Sequence, residues 1–229
     1  MTNNDGQKIY LTKHYSIFEK ILLKKRKEIL IVLKKFLNNK EIKDVLDVGS
    51  TEDDNNESSN FLVKNLGNDK NYKSISDQSI KSNFFSKTLK KSITENFTQD
   101  EIEKFKSDLV ISNATIEHVG SYENQIKMCS NIINLSKKYF IIMTPNRFHP
   151  LEFHTKIPII HWLPKKMHRK ILKFLGLKFF AEEKNLNLLS KYDFKSIMRE
   201  LNQINYEIKY VNFLFIKSNL ILIGEKNWK

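Results

Sequence analysis

The sequence predicts an α/β protein: a doubly wound, mostly parallel sheet between two layers of helices, closed at one edge by an antiparallel C-terminal hairpin. Three observations lead there. Short apolar or β-rich runs alternate with stretches of helical spacing. Several of those runs are apolar almost throughout, as strands buried on both faces are. The closing stretch "NYEIKYVNFLFIKSNLILIGEKN" holds two long strand-like runs with no room for a helix between them.

The elements follow in chain order. Residues 15 to 37, "YSIFEKILLKKRKEILIVLKKFL", place Phe18, Ile21, Leu22, Ile29, Val32, Leu33 and Phe36 near helical spacing with lysines between them. A helix packed on the sheet with a solvated lysine face is expected, in preference to one lying on a membrane. "DVLDVGS" (44 to 50), "YKSIS" (72 to 76), "SDLVISN" (107 to 113) and "KYFIIMTP" (138 to 145) read as strands, with a third strand of the sheet in the stretch that begins "TLKK". "YENQIKMCSNIINLSKK" is helical, and the C-terminal hairpin is expected to turn around "IKSN". With 229 residues and no internal repeat, the chain reads as one domain over 1–229. Its expected parts are an N-terminal helix (9–40), a core (41–145), an irregular insertion (146–190), and a helix plus hairpin (191–229).

Composition narrows the function. The net charge of +13 invites a nucleic-acid reading, but the only arginines are Arg26, Arg147, Arg169 and Arg199. Lysine lacks the planar fork suited to specific phosphate or base contacts, so nucleic acid is disfavoured. The lone Cys129, among apolar neighbours, excludes an internal disulfide and a cysteine-based zinc cluster. No apolar run approaches the roughly 18 residues of a membrane span, and the polar N-terminus is unlike a signal peptide, so a cytoplasmic location is expected.

In a doubly wound sheet, ligands lie at the carboxyl ends of the strands, near the point where strand order reverses. The residues there are Asp47, Gly49, Ser50 and Thr51, then Asp77, then Ser112 and Asn113, then Thr144, Pro145, Asn146 and Arg147. Gly49 permits a tight turn and Asp77 can accept hydrogen bonds from two ribose hydroxyls. No G-x-x-x-x-G-K-[ST] loop occurs and the first turn lacks G-x-G-x-x-G, which removes support for kinase and dinucleotide readings.

"DVLDVGS", "SDLVISNATIEHVGS" and "YFIIMTPNRFHPLEFHTKIPIIHWLP" resemble the class I S-adenosylmethionine-dependent methyltransferases, a Rossmann-like family. More narrowly, they are similar to the type 11-like members often found beside bacterial glycosyltransferases. The resemblance spans most of the chain and implies S-adenosylmethionine as cofactor. Asp47 and the backbone around Gly49, Ser50 and Thr51 would hold its methionine part, Asp77 and Gln78 the ribose, and Ile93 and Thr94 the adenine. Asn113 would line the sulfonium. The sequence departs from the family pattern D-x-G-x-G-x-G by keeping Gly49 and following it with Ser50, Thr51 and Glu52. For a phosphate-free, cationic cofactor, acids such as Glu52, Asp53 or Glu57 are no obstacle. Ser58, Ser59 and Asn60 would cap a following helix "NFLVKNL".

Some quinone methyltransferases carry a metal-binding E-x-x-E-H after strand four. Here Ala114 replaces the first carboxylate ahead of Glu117 and His118, so no metal is expected. The loop after strand five holds His149, Glu152, His154 and His161. His154 is the candidate base or acceptor-orienting group, with His161, Glu152 and Arg147 as pocket partners; the competing reading is a structural network that fixes the loop. The segment "HWLPKKMHRKILKFLGLKFF" is expected to form a lid, peripheral membrane contact being the alternative. The expected activity is methyl transfer to a small-molecule, glycan or lipid-linked acceptor, at oxygen. An RNA methyltransferase and a non-catalytic cofactor-binding module are the alternatives.

Overall fold

Strand β1 (Asp44–Val48) sets the frame. Its central residues Val45 and Leu46 are both fully buried but belong to opposite apolar clusters, because successive side chains of a strand point to opposite faces. A strand apolar on both faces needs cover on both, and the helices supply it. In the computed structural model, residues 17–52, 57, 59–213 and 215–226 are described. Residues 9–16 of the predicted N-terminal segment, Asp53 and Ser58 lie outside that set, as do the side chains of Phe18 and Leu22.

Strands β2 (Asn71–Ser76), β3 (Lys87–Lys90), β4 (Ser107–Asn113) and β5 (Ser136–Pro145) run parallel to β1. With β6 (Tyr206–Phe213) and β7 (Ile216–Glu225) they form one seven-stranded sheet in the order β3-β2-β1-β4-β5-β7-β6. Strand order reverses between β1 and β4. β7 is antiparallel to both β5 and β6, as the hairpin requires. One difference from expectation is local: the chain turns between Phe213 and Ile216, so "IKSN" opens β7 instead of forming the turn. Ser218 accounts for the shift, being buried within the strand and donating to Val211 O.

On one face lies α1 (Ile17–Leu37), whose Ile29 and Leu33 pack with Val45, Leu109 and Ile141. The opposite face is covered by α4 (Tyr122–Leu135) and α7 (Lys191–Glu200), through Met128, Ile132, Phe194 and Ile197. Cys129 is buried there, as its apolar neighbourhood predicted. A capping box, Ser190 with Asp193, starts α7 just after the insertion ends. α3 (Gln99–Phe105) precedes β4.

The helix predicted at "NFLVKNL" is shorter than expected, a single turn, α2 (Phe61–Lys64). Asn60, predicted as a cap, stands at the capping position but in the left-handed conformation, φ 51°, and makes no capping bond. Its amide is used elsewhere, as described below. The insertion at 146–190 contains α5 (Lys165–Phe174) and α6 (Lys178–Ala181) and has its own small core of Leu172, Phe180, Ala181, Leu186 and Leu188. No helix among the described residues is long and apolar enough to cross a membrane.

Candidate active site at the carboxyl ends of β1, β4 and β5

The turn after β1 holds its shape through side chains. Gly49 sits at φ +90°, and a Cβ there would lie 2.2 Å from Thr115 Oγ1. Glycine is therefore required twice, by backbone conformation and by space. Past it, Ser50 Oγ donates to Asp47 Oδ2 at 2.5 Å and accepts from Ser74 Oγ at 2.8 Å, while Ser76 Oγ donates to Ser50 O at 2.8 Å. Thr51 is held by Asn60 on both backbone groups: its N–H donates to Asn60 Oδ1 and its carbonyl accepts from Asn60 Nδ2, each at 2.9 Å. That explains why Asn60 does not cap α2. Ser59 Oγ bonds Thr51 Oγ1. Ser112 and Thr115 both donate to Val48 O.

Burial pushes the Asp47 carboxyl up to about 6, against the opposing bond from Ser50. Asp77 and Gln78 follow β2, next to β1 in the sheet, and Asp77 is exposed. Ile93 and Thr94 follow β3. Ile93 is buried and its carbonyl accepts from Asn131 Nδ2; Thr94 Oγ1 bonds Ser92 Oγ. Asn113 ends β4, across the strand-order reversal from Gly49. The cofactor candidates thus lie along one edge of four neighbouring strands, β3-β2-β1-β4.

A second group stands at the ends of β4 and β5. After Ala114, at φ +54°, a short 3-10 turn, Ile116–His118, buries Glu117 completely. Glu117 Oε2 accepts from Thr144 Oγ1 of β5 at 2.9 Å, while Oε1 has no hydrogen-bond partner among the described residues. His118 Nδ1 bonds Asn185 O at 2.7 Å. From the β5 loop, His154 comes to within 4.9 Å of His118, ring centre to ring centre. Glu152 holds it there: Oε1 accepts from His154 Nδ1 at 2.6 Å and from the His154 N–H at 2.9 Å. Glu152 Oε2 accepts both the N–H and the hydroxyl of Thr155. Burial opposes ionisation of Glu152, but the His154 and Thr155 bonds outweigh it and hold the carboxyl at about 2. Burial likewise works against charge on His154, but the Glu152 and Glu117 carboxylates prevail and raise it.

Arg147 and His161 sit differently. The Arg147 guanidinium donates to His161 O and Leu163 O, and its backbone N–H to Leu189 O. His161 is buried, with Nε2 donating to His149 O. These two residues brace the loop, while Glu152 and His154 face Glu117 and His118. In sequence Glu117 and His118 stand well apart from His154; the fold puts one ligand atom of each of the three within 4.8 Å of the others. The braces Ser74, Ser76, Asn60, Thr115 and Asn185 carry no signal in sequence, because each partner lies 9 to 67 residues away. The insertion is also tied down: Asn187 N–H donates to Glu117 O and its amide to Gly120 O. A cleft of about 340 Å³ is lined by Asn146 and Phe148, just after β5, with lysines and tyrosines of α7, β6 and β7, and includes none of the cofactor candidates.

No protein-family model matches this sequence, and neither does any curated protein. Solved structures match it in architecture. Magnesium protoporphyrin IX methyltransferase from Synechocystis PCC 6803, with bound S-adenosylhomocysteine, aligns at TM-score 0.59 over 98% of this chain and 94% of its own, at 12% identity. The chain has the methyltransferase fold. The same fold relates it to 1,6-didemethyltoxoflavin-N1-methyltransferase from Burkholderia thailandensis (TM-score 0.56, 97% and 83% covered, 9% identity). It also relates it to the CurJ carbon methyltransferase (0.58, 98% and 58%, 11%). The acceptors named for these methyltransferases differ in both molecule and atom, so the fold alone does not choose among acceptors.

Proposed function

We propose that the protein is an S-adenosylmethionine-dependent methyltransferase acting on a hydroxyl of a small-molecule, glycan or lipid-linked acceptor. The observation that carries the reading is the pairing of two features across the strand-order reversal. On one side is a braced glycine turn after β1; on the other is His154, oriented by Glu152, beside the end of β4. The first suits a cofactor without phosphate. Backbone from Gly49 to Thr51 would receive its methionine part, Asp77 and Gln78 its ribose, Ile93 and Thr94 its adenine, and Asn113 its sulfonium. Neighbours of this fold crystallised with S-adenosylmethionine or S-adenosylhomocysteine add support.

The chemistry asks little of the protein beyond alignment and exclusion of water, which can lower a barrier by roughly 7–11 kcal/mol in well-oriented systems. The cofactor would supply an activated methyl group, whose transfer exchanges its C–S bond for a C–O bond to the acceptor. His154 takes the hydroxyl proton or orients the acceptor. The 146–190 segment forms the acceptor wall; its separate core and its ties to Glu117 and Gly120 favour a fixed cover. The test is His154→Ala. Turnover should fall at least about 100-fold, the scale of one general base, while binding of S-adenosylhomocysteine, measured by calorimetry, stays within about twofold. Loss of both would remove His154 from the acceptor side.

A further inference from the structure

Glu117 raises a separate question. Its side chain is completely buried, yet among the described residues Oε1 has no hydrogen-bond partner, although Oε2 is satisfied by Thr144. A buried carboxylate oxygen left without a donor is costly, so something should compensate it. The groups around it are histidines. His118 Nε2 stands 4.0 Å from Glu117 Oε1, and His154 completes a trio with one ligand atom each inside 4.8 Å.

We infer that Glu117, His118 and His154 bind a divalent transition-metal ion of the zinc class at the acceptor side of this site. Two imidazoles and one carboxylate are a common three-ligand set for a catalytic zinc, with a fourth position left for a substrate oxygen. Imidazole favours zinc and its neighbours over magnesium or calcium. The outer shell fits as well. Histidines that ligate a metal usually give their other ring nitrogen to a carboxylate or a backbone carbonyl. Here His154 Nδ1 is taken by Glu152 and His118 Nδ1 by Asn185 O, so Nε2 is the nitrogen each ring would offer. Ligand atoms around a tetrahedral zinc stand roughly 3.4 Å apart, given bonds of about 2.0–2.1 Å. The trio therefore needs to close by about 1 Å, a matter of side-chain rotation.

The ligand set spans two loops: in place of the carboxylate absent at Ala114, the third ligand would come from the β5 loop. The role of this ion rests on the methyltransferase reading and deepens it. A bound cation lowers the pKa of a coordinated oxygen, as zinc brings that of water down to about 7. The acceptor hydroxyl would release its proton to solvent while its oxygen stays on the ion, and that oxygen would then take the methyl group as the C–S bond breaks. As a ligand, His154 would orient the acceptor through the ion, the second of the two roles proposed for it above, and would not itself take the proton.

The experiment uses the full chain, stripped with a chelator and then titrated with Zn²⁺ and, separately, with Co²⁺, whose visible absorption reports its ligands. One equivalent of Zn²⁺ should bind, and Co²⁺ should show the intense bands of a four-coordinate nitrogen and oxygen site. His154→Ala and Glu117→Gln should each abolish these bands; the second keeps the shape of the side chain and its bond to Thr144. Glu152→Gln, which perturbs only the outer shell, should weaken Zn²⁺ binding about 10- to 100-fold. Absence of Zn²⁺ binding by the wild-type chain, or unchanged binding by the ligand variants, would overturn the inference. Thermal stabilisation by S-adenosylhomocysteine, measured on the stripped wild-type protein, reads the methyltransferase proposal separately, because no cofactor candidate is a metal ligand.

Discussion

At Gly49 one missing Cβ serves two purposes, and they can be separated. Gly49→Ala should cost about 1–3 kcal/mol for the positive φ alone, with more for the collision against Thr115 Oγ1 at 2.2 Å. Adding Thr115→Ala should recover only the collision part, as measured by urea denaturation. Asp47 makes a prediction in pH. Its folded pKa is raised, from 3.8 to about 6, so its contribution to stability is full below its unfolded value and is lost as pH rises through about 6. Roughly two pKa units amount to about 3 kcal/mol. Asp47→Asn keeps an acceptor for Ser50 and removes the titration. The variant should match the wild type near pH 4 and exceed it at pH 7 by up to about 3 kcal/mol in chemical denaturation. The first turn shows what a single sequence conveys at this scale. Gly49 and Asp47 were legible because a strand end announces them. The Asn60 clamp and the Ser74 and Ser76 braces were not, because their geometry depends on partners that only the fold brings near.

At the scale of elements, most of the architecture was legible, because strands apolar on both faces and an amphipathic α1 follow from burial alone. The errors lie where a local pattern competed with tertiary contacts. "NFLVKNL" looked like a full helix, but Asn60 is used by Thr51 and α2 stops after one turn. "IKSN" looked like a hairpin turn, but Ser218 is buried and bonded to Val211 within the strands. The β5–β7 pairing offers its own test. Phe140 lies opposite Gly224, and a Cβ at Gly224 would come within 1.9 Å of the Phe140 ring. Gly224→Ala should therefore destabilise by about 1–3 kcal/mol through overpacking. Phe140→Leu in that background should relieve part of the loss, shown by a higher melting temperature for the double variant than for Gly224→Ala.

For the whole molecule, fold and function stand on different grounds. The sheet order, the two faces of cover and the antiparallel hairpin make the methyltransferase fold; cofactor and acceptor depend on the chemistry arranged at one edge of it. The excess of positive charge is carried almost wholly by lysine, which lacks the planar fork suited to specific phosphate or base contacts. The glycine-poor turn after β1 is proposed to bind a phosphate-free adenosyl cofactor. Thermal unfolding of the full chain with and without S-adenosylhomocysteine tests this most directly. At about 100 times its dissociation constant the ligand should add about 2.7 kcal/mol, a rise in melting temperature of roughly 5–10 °C for a domain of this size, and Gly49→Ala should abolish that rise. An unchanged melting temperature with both S-adenosylhomocysteine and S-adenosylmethionine at millimolar concentration would contradict the claim.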